Sequence, residues 1–149
     1  MEIIGNQLIP RPQQLTWDAI CDPAVLQVCI PGCESMDKVS DSEFDLIMGA
    51  KVGPVSAKFK GKITLTEVDA PNSYKLIFEG QGGVAGFAKG QADVKLVPEG
   101  DATRLEYVAK ATIGGKIAQV GSRLVDGVAK KIAEQFFTAF NRHLSGDKE

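Results

Sequence analysis

The sequence contains few of the side chains that bind metals or act as nucleophiles. Its 149 residues include one histidine, His143, and three cysteines. A zinc site with a histidine pair therefore lacks a ligand, and a Ser-His-Asp triad would have to use His143. That residue lies close to the C-terminus, where side chains are usually solvated. We therefore expect no metal site, no catalytic residue and no enzymatic activity.

The three cysteines do not suggest a disulfide framework. Their number is odd, and Cys29 and Cys33 are one residue farther apart than the pair of a thioredoxin motif. Free cysteine behaves as a small hydrophobic residue in most folds. We expect Cys21, Cys29 and Cys33 to be buried or half-buried thiols.

Long apolar runs and targeting segments are also missing. No apolar run approaches the ~20 residues that cross a bilayer, no basic leader precedes an apolar segment, and residue 2 is Glu where myristoylation requires Gly. A net charge of -2, with 44% hydrophobic and 24% charged residues, is typical of a soluble globular protein. We expect a cytoplasmic protein whose residues 1–149 form a single domain, because this length suffices for a stable core.

Hydrophobic periodicity predicts an α+β fold with seven strands and three helices. Two short helices separate the first two strands, and a long amphipathic helix ends the chain. This order favours one antiparallel sheet curled around the long helix, which would be roughly 40 Å long. The predicted strands are 2–9, 34–39, 43–52, 55–68, 74–79, 84–97 and 103–112, and the predicted helices are 13–21, 24–28 and 116–144.

The long helix has an apolar row and a polar side. The row consists of Ile117, Val120 or Gly121, Leu124, Val128, Ile132, Phe136, Phe140 and Leu144. The polar side consists of Gln119, Arg123, Asp126, Lys130 and Asn141. Gly127 lies within the helix at a cost of about 1 kcal/mol relative to Ala, which suggests close backbone packing at that point.

The strand alternation gives the sheet an inner face that contains many small residues. They are Ala57, Gly61, Gly86, Ala88, Gly90, Ala92, Ala109 and Ala111. Cores normally fill to high density, so a small-residue lining under an arched sheet predicts an apolar cavity for a hydrophobic small molecule. Glycine and alanine also permit sharp bends and close helix approach, and both interpretations stay open at this point. The predicted cavity residues are Trp17, Phe59, Gly61, Phe78, Gly86, Ala88, Tyr107, Ala109, Gly121, Leu124, Val128 and Phe136.

A glycine-rich stretch at 79–90 resembles a phosphate loop only superficially. No Lys-Ser or Lys-Thr pair follows it, and it joins two strands, whereas phosphate loops precede a helix N-terminus. We expect a mobile hairpin at the mouth of the cavity.

The outer face offers candidates for binding a partner. Lys58, Lys60 and Lys62 form a basic stripe, and Phe87 falls on the outward phase of its strand next to Lys89. A solvated sheet face is the alternative explanation for the lysines. The slightly acidic chain has no aromatic stacking platform among them, so we expect no nucleic-acid partner.

Four motifs occur in an order that is more specific than any of them alone. They are CIPGCE at 29–34, KVGPVSAKFKG at 51–61, GFAKG at 86–90 and GGKIAQVGSRLVDGVAKK at 114–131. Over nearly its whole length, the chain resembles the G-subunit family of carbon monoxide dehydrogenase. That family is similar to the START and birch-pollen-allergen helix-grip proteins. The resemblance implies a helix-grip fold, with a curved seven-stranded antiparallel sheet wrapped around a long C-terminal helix over an apolar cavity.

The resemblance also implies an accessory function without a covalent cofactor. It suggests recruitment of a molybdenum-containing CO dehydrogenase to the inner face of the cytoplasmic membrane, with a quinone such as menaquinone held in the cavity to link the enzyme to the respiratory chain. Many members continue past the long helix with an anchoring tail, whereas this sequence stops at Glu149. The alternatives are a recruitment or assembly factor without a ligand, and a lipid-binding or cyclase-like helix-grip protein, in which Tyr74 and Tyr107 are the inner-face titratable groups.

Overall fold

The computed structural model describes residues 1–146, which form one seven-stranded antiparallel sheet with the strand order β1-β7-β6-β5-β4-β3-β2. The strands are β1 Glu2–Ile9, β2 Cys33–Lys38, β3 Glu43–Val52, β4 Val55–Asp69, β5 Ser73–Gln81, β6 Phe87–Glu99 and β7 Ala102–Gly114. The helices are α1 Gln13–Ile20, α2 Pro23–Cys29, α3 Lys116–Gln119 and α4 Ser122–Leu144, and a turn of 3-10 helix spans Gly83–Ala85. The predicted helix-grip fold class is confirmed, including the two short helices between the first two strands.

The predicted single C-terminal helix is wrong at its start. The chain forms α3, turns at Gly121 with a φ of +105°, and begins α4 at Ser122. Glycine tolerates this backbone conformation, which side chains with a Cβ rarely adopt. The break allows Ile117 of α3 to be buried at the end of β7 while α4 turns away to cross the sheet.

The two short helices cover one end of the sheet. Asp22 caps α2, because its carboxylate accepts a hydrogen bond from the backbone N–H of Ala24 at 2.9 Å and Pro23 occupies the first helical position. In α1, the fully buried Thr16 donates to the carbonyl of Pro12 at 3.0 Å. Thr103 of β7 donates to the carbonyl of Arg11 at 2.8 Å, which fixes the entry to α1 against the sheet.

We call this covered region the closed end and define it by residues 9–20, the turns at 39–43, 69–73 and 98–102, and the last two turns of α4. The opposite region is the mouth end, defined by residues 51–55, 82–86 and 114–128. There the β3–β4 turn, the 3-10 turn, α3 and the first half of α4 converge. Each end contains its own hydrophobic cluster.

The cluster at the closed end is large and rich in aromatic side chains. Its buried members are Ile9, Trp17, Ala19, Ile20, Val25, Cys29, Tyr74, Leu96, Leu105, Phe137 and Phe140. The cluster at the mouth end has three buried members, Val52, Ala85 and Ile117, with half-buried aliphatic residues around them. The core is therefore divided rather than continuous along α4.

Three expectations for the long helix need correction. Phe137 is buried although the apolar row omitted it, whereas Leu124 of that row is 41% exposed. Asn141 does not face solvent with the polar side, because its amide donates to the carbonyl of Leu8 at 3.5 Å. Gly127 has open space where a side chain would be, so it does not serve close backbone packing.

Candidate functional site

The inner face of the sheet between the two clusters is only partly covered. Its side chains belong to neither cluster, and every one of them is half-buried. On α4, Ile132 lies midway between Val128 of the mouth cluster and Phe136 of the closed-end cluster. The backbone of α4 approaches the sheet at β1 and β3, near the two edges. We call this region the inner groove, and its sheet residues are Leu46, Ile63, Phe78, Ala92, Ala109 and Ala111.

The alanines of the inner face leave space, whereas several glycines do not. The ring of Tyr107 covers Gly5, with its hydroxyl oxygen 2.6 Å from where a Cβ would lie. Leu46 fills the place beside Gly61 in the same way, at 3.2 Å. Ala92 and Ala109 face each other across β6 and β7, and both stay half-buried. The unfilled part of the lining is thus its alanine part.

Two other glycines permit close backbone approach. A Cβ on Gly86, whose φ is +122°, would overlap the carbonyl oxygen of Gly114. A Cβ on Gly90 would overlap the carbonyl oxygen of Lys110. The bending interpretation therefore holds for these positions, and the prediction that Gly86 lines a cavity is wrong. Ala88, on the strand between them, remains half-buried on the inner face.

A second concave region runs along the flank of α4 and encloses about 500 Å³, a volume within the range of small-molecule sites. We call it the flank groove. Its lining is mostly aliphatic and glycine, with two cations at its rim: Val120, Gly121, Arg123, Leu124, Gly127, Val128 and Lys131. Val128 also packs in the mouth cluster, so the flank groove adjoins the interior. Sequence reasoning assigned Gly121, Leu124 and Val128 to a cavity but missed Arg123, Gly127 and Lys131.

The aromatic residues predicted for the cavity divide between packing and lining. Trp17 is buried in the closed-end cluster, where its ring meets Tyr74 edge-on at 5.5 Å, so it serves packing. Tyr107 stacks on Phe137 at 5.4 Å and remains half-buried on the inner face. Phe136 and Phe78 are half-buried, and Phe59 packs in the mouth cluster beneath Gly82.

The titratable groups on the inner side are tyrosines and a thiol. Burial raises the pKa of Tyr74 above its usual range, with a smaller effect from Cys21. Burial also raises the pKa of Tyr107, and the negative charge of Glu134 adds to the shift. The pKa of Cys21 is raised to about 11 by burial and, secondarily, by Asp18. At neutral pH all three groups are protonated, so the tyrosines are hydrogen-bond donors and not bases.

The outer face does not present the free basic stripe that the sequence suggested. Lys58 forms an ion pair with Glu34 at 3.1 Å, and Lys62 lies opposite Asp45 on one side and Glu79 on the other. Lys60 lies between Ile47 and Gln81. A groove of about 380 Å³ crosses this region, and both acidic and basic side chains line it. The stripe is therefore largely balanced by neighbouring carboxylates.

Phe87 is half-buried rather than exposed, because its ring covers Gly114 on the neighbouring strand. Such an aromatic side chain shields a glycine of a sheet from water. Lys89 is exposed and lies opposite Glu79. The part of Phe87 and the four lysines in binding a partner stays a prediction.

Metal sites and membrane-spanning helices are both absent from residues 1–146. No three or more His, Cys, Asp or Glu side chains come together there in a way that could hold a metal ion. Within the same residues, no helix has the length and apolar character needed to cross a membrane. The three cysteines are free, with Cys29 buried and the other two half-buried, as expected.

Comparison with known families and structures agrees with this architecture. The model of the CoxG family, the G-subunit family of carbon monoxide dehydrogenase, matches residues 5–145. No curated protein sequence matches the chain significantly. A conserved protein from Geobacillus kaustophilus superposes with a TM-score of 0.91 at 27% identity, over 100% of this chain and 98% of that one.

More distant structures share the fold at low identity. A START superfamily protein from Mycobacterium smegmatis is 14% identical with a TM-score of 0.74, over 99% of both chains. The Zhui aromatase/cyclase from Streptomyces sp. R1128 is 9% identical with a TM-score of 0.68, over 96% of this chain and 92% of that one. Both likenesses concern the fold alone.

Proposed function

The chain belongs to the CoxG family of carbon monoxide dehydrogenase, and on that premise we propose that it holds an apolar ligand of the quinone class in the inner groove. In this proposal it is a non-enzymatic accessory protein that helps to bring a molybdenum-containing CO dehydrogenase to the cytoplasmic membrane. The bound quinone would link the enzyme to the respiratory chain. The observation that carries the proposal is the divided core, with a half-buried alanine lining between its two parts.

The lining of the inner groove favours a flat apolar ligand. Hydrophobic burial contributes about 25 cal/mol per Å² of apolar surface, and protein interiors normally fill such space with their own side chains. Here Ala92 and Ala109 face each other where larger side chains would complete a core. A ligand that displaces water from these methyl groups gains the free energy that the protein itself leaves unused.

The tyrosine hydroxyl at the edge of the inner groove favours a ligand with a carbonyl group. Tyr107 is held by its stacking on Phe137 and stays protonated because its pKa is raised. Its hydroxyl donates no hydrogen bond to another described residue. A quinone carbonyl would accept that bond while the rest of the ring system contacts aliphatic side chains.

An enzymatic function is the second candidate, and the fold shared with an aromatase/cyclase supports it. Acid-base catalysis requires a group whose pKa lies near the operating pH. The raised pKa values of Tyr74 and Tyr107 move these groups away from that range. They therefore favour a container over a catalyst.

The test fills the inner groove and leaves the sheet otherwise unchanged. In Ala92→Leu/Ala109→Leu, two facing alanines of β6 and β7 become large, and we expect at least a tenfold loss of menaquinone affinity in detergent micelles, measured by native mass spectrometry. The matched control is Asp93→Leu/Val108→Leu, the adjacent facing pair on the outer side of the same strands. Equal affinity of both double variants, with folding confirmed by circular dichroism, would refute the location of the ligand.

A further inference from the structure

The mouth end exposes aliphatic side chains that the rest of the core does not cover. Val84, at the tip of the 3-10 turn, is 85% exposed. Leu124 lies over Gly53 of the β3–β4 turn and is 41% exposed at the rim of the flank groove. Ala85 and Ile117, which are buried beneath them, anchor both elements in the mouth cluster. The exposed residues are thus held by ordered structure.

The same end carries an unbalanced positive charge. Lys51, Lys116, Arg123, Lys130 and Lys131 are all exposed and lie on the converging turns and on the first half of α4. Among residues 1–146, none of the five has a carboxylate within 4.0 Å. Asp126 is the one carboxylate between residues 107 and 131. The positive charge of the mouth end is therefore available to an anionic partner.

The turns at the closed end carry the opposite charge. The three turns at 39–43, 69–73 and 98–102 contribute five carboxylates and no lysine or arginine: Asp41, Glu43, Asp69, Glu99 and Asp101. A chain whose net charge is only -2 is therefore strongly polarised along α4. Such a distribution orients a molecule against a charged surface.

We propose that the mouth end binds the surface of a lipid bilayer that contains anionic lipids. Val84 and Leu124 enter the headgroup region, the five cations contact lipid phosphates, and the acidic turns point away from the membrane. The inference deepens the proposed function, on which it rests for its ligand: an apolar molecule passes from the bilayer along the flank groove, through Val128, to the inner groove. It assigns membrane contact to this end and not to the lysines of the outer face.

The shape of the mouth end favours a bilayer over an acidic protein. Val84 projects from a single turn between Gly83 and Gly86 and has almost no neighbours, whereas the central residues of protein interfaces sit in packed patches. Aliphatic side chains that project among cations are typical of surfaces that insert into lipid headgroups. The attraction should weaken as salt shortens the Debye length.

The test is co-sedimentation with vesicles of phosphatidylcholine, with and without phosphatidylglycerol. We expect the protein to bind only the anionic vesicles and to leave them at high salt. Lys51→Glu/Lys116→Glu/Arg123→Glu should bind roughly 100-fold more weakly, since each cation near such a surface contributes roughly fivefold. Val84→Ser/Leu124→Ser should lose roughly tenfold.

Two matched controls keep the test specific. Lys58→Glu/Lys60→Glu/Lys62→Glu makes the same change in charge on the outer face, and Val68→Ser/Ile77→Ser removes two exposed aliphatic side chains elsewhere. Both should bind vesicles within about twofold of the unaltered protein, since they leave the cations of the mouth end in place. An unaltered chain that ignores anionic vesicles, or equal losses in the two triple variants, would overturn the inference.

Quinone binding in micelles separates this inference from the proposed function. The mouth-end variants should keep their affinity for menaquinone in detergent, because the inner groove is intact. If vesicle binding follows the expected pattern while no variant binds menaquinone, the membrane surface stands and the ligand assignment fails. Binding of an acidic protein at the mouth end without any vesicle binding would refute the bilayer as partner.

Discussion

The two ends of the molecule solve the same packing problem differently. At the closed end, Phe136, Phe137 and Phe140 of α4 stack among themselves and on Tyr107. At the mouth end, the buried residues are Val52, Ala85 and Ile117, and exposed aliphatic side chains surround them. Aromatic packing fixes one end of the helix against the sheet, whereas small residues leave the other end able to admit a ligand.

The largest expected effect comes from breaking the closed end. Phe140 is fully buried and stacks on Phe136 at 5.6 Å, so Phe140→Ala should lower the free energy of unfolding by about 3–5 kcal/mol. Val128→Ala, at the half-buried mouth cluster on the same helix, should cost only about 1 kcal/mol. Urea denaturation measures both values. Equal losses would contradict the contrast between the ends.

The next effect concerns the buried hydroxyl at the closed end. Thr103 is fully buried and donates to the Arg11 carbonyl, so Thr103→Val leaves that acceptor unpaired and should cost about 1–3 kcal/mol. Thr112→Val changes an exposed residue of the same strand and should stay within about 0.5 kcal/mol. Thermal unfolding of the two variants side by side decides whether the hydroxyl closes this end.

A smaller effect distinguishes covering from binding at Phe87. Because the ring covers Gly114, Phe87→Ala should cost about 1 kcal/mol of stability even with no partner present. Val84→Ala, on the neighbouring exposed turn, should cost almost nothing. If Phe87→Ala leaves unfolding in urea unchanged, Phe87 is instead free for a partner, as the sequence alone suggested.

The smallest effect is a pH dependence at the closed end. The thiol of Cys21 has a pKa of about 11 in the folded chain against an ordinary value of 9.0, so the folded state holds its proton longer. The resulting stabilisation is complete below pH 9 and is lost as the pH rises from 9 to about 11. Cys21→Ala should flatten the fall in stability across this window. A denaturation series at pH 8 to 11 that is equally steep in both proteins would contradict it.

The strand pattern was readable from the sequence because period-two alternation survives wherever one face of a strand is covered. In β4, for example, the lysines and the apolar residues separate cleanly between the two faces. The break at Gly121 was not readable, since the helical pattern continues through it and only the positive φ reveals the turn. Phe137 was missed because a row spaced by four residues selects Phe136 and Phe140 and passes over their neighbour.

The functional surfaces were harder to predict because they depend on neighbours across the sheet. Lys58 looks free in one strand until Glu34 of another lies 3.1 Å away. Gly61 and Ala109 look equivalent as small inner residues, yet Leu46 fills the space beside Gly61. The cations of the mouth end come from the β3–β4 turn, α3 and α4, which are distant in sequence and meet only in the fold.

The central claim is that a ligand occupies the inner groove between the two clusters. Methyl NMR of alanine-labelled protein during a menaquinone titration in micelles tests it most directly. The account predicts large shifts for the methyl groups of Ala92, Ala109 and Ala111, with Ala19 and Ala139 of the closed-end cluster unmoved. Shifts confined to the closed-end alanines, or no shift at any alanine at saturating menaquinone, would contradict it.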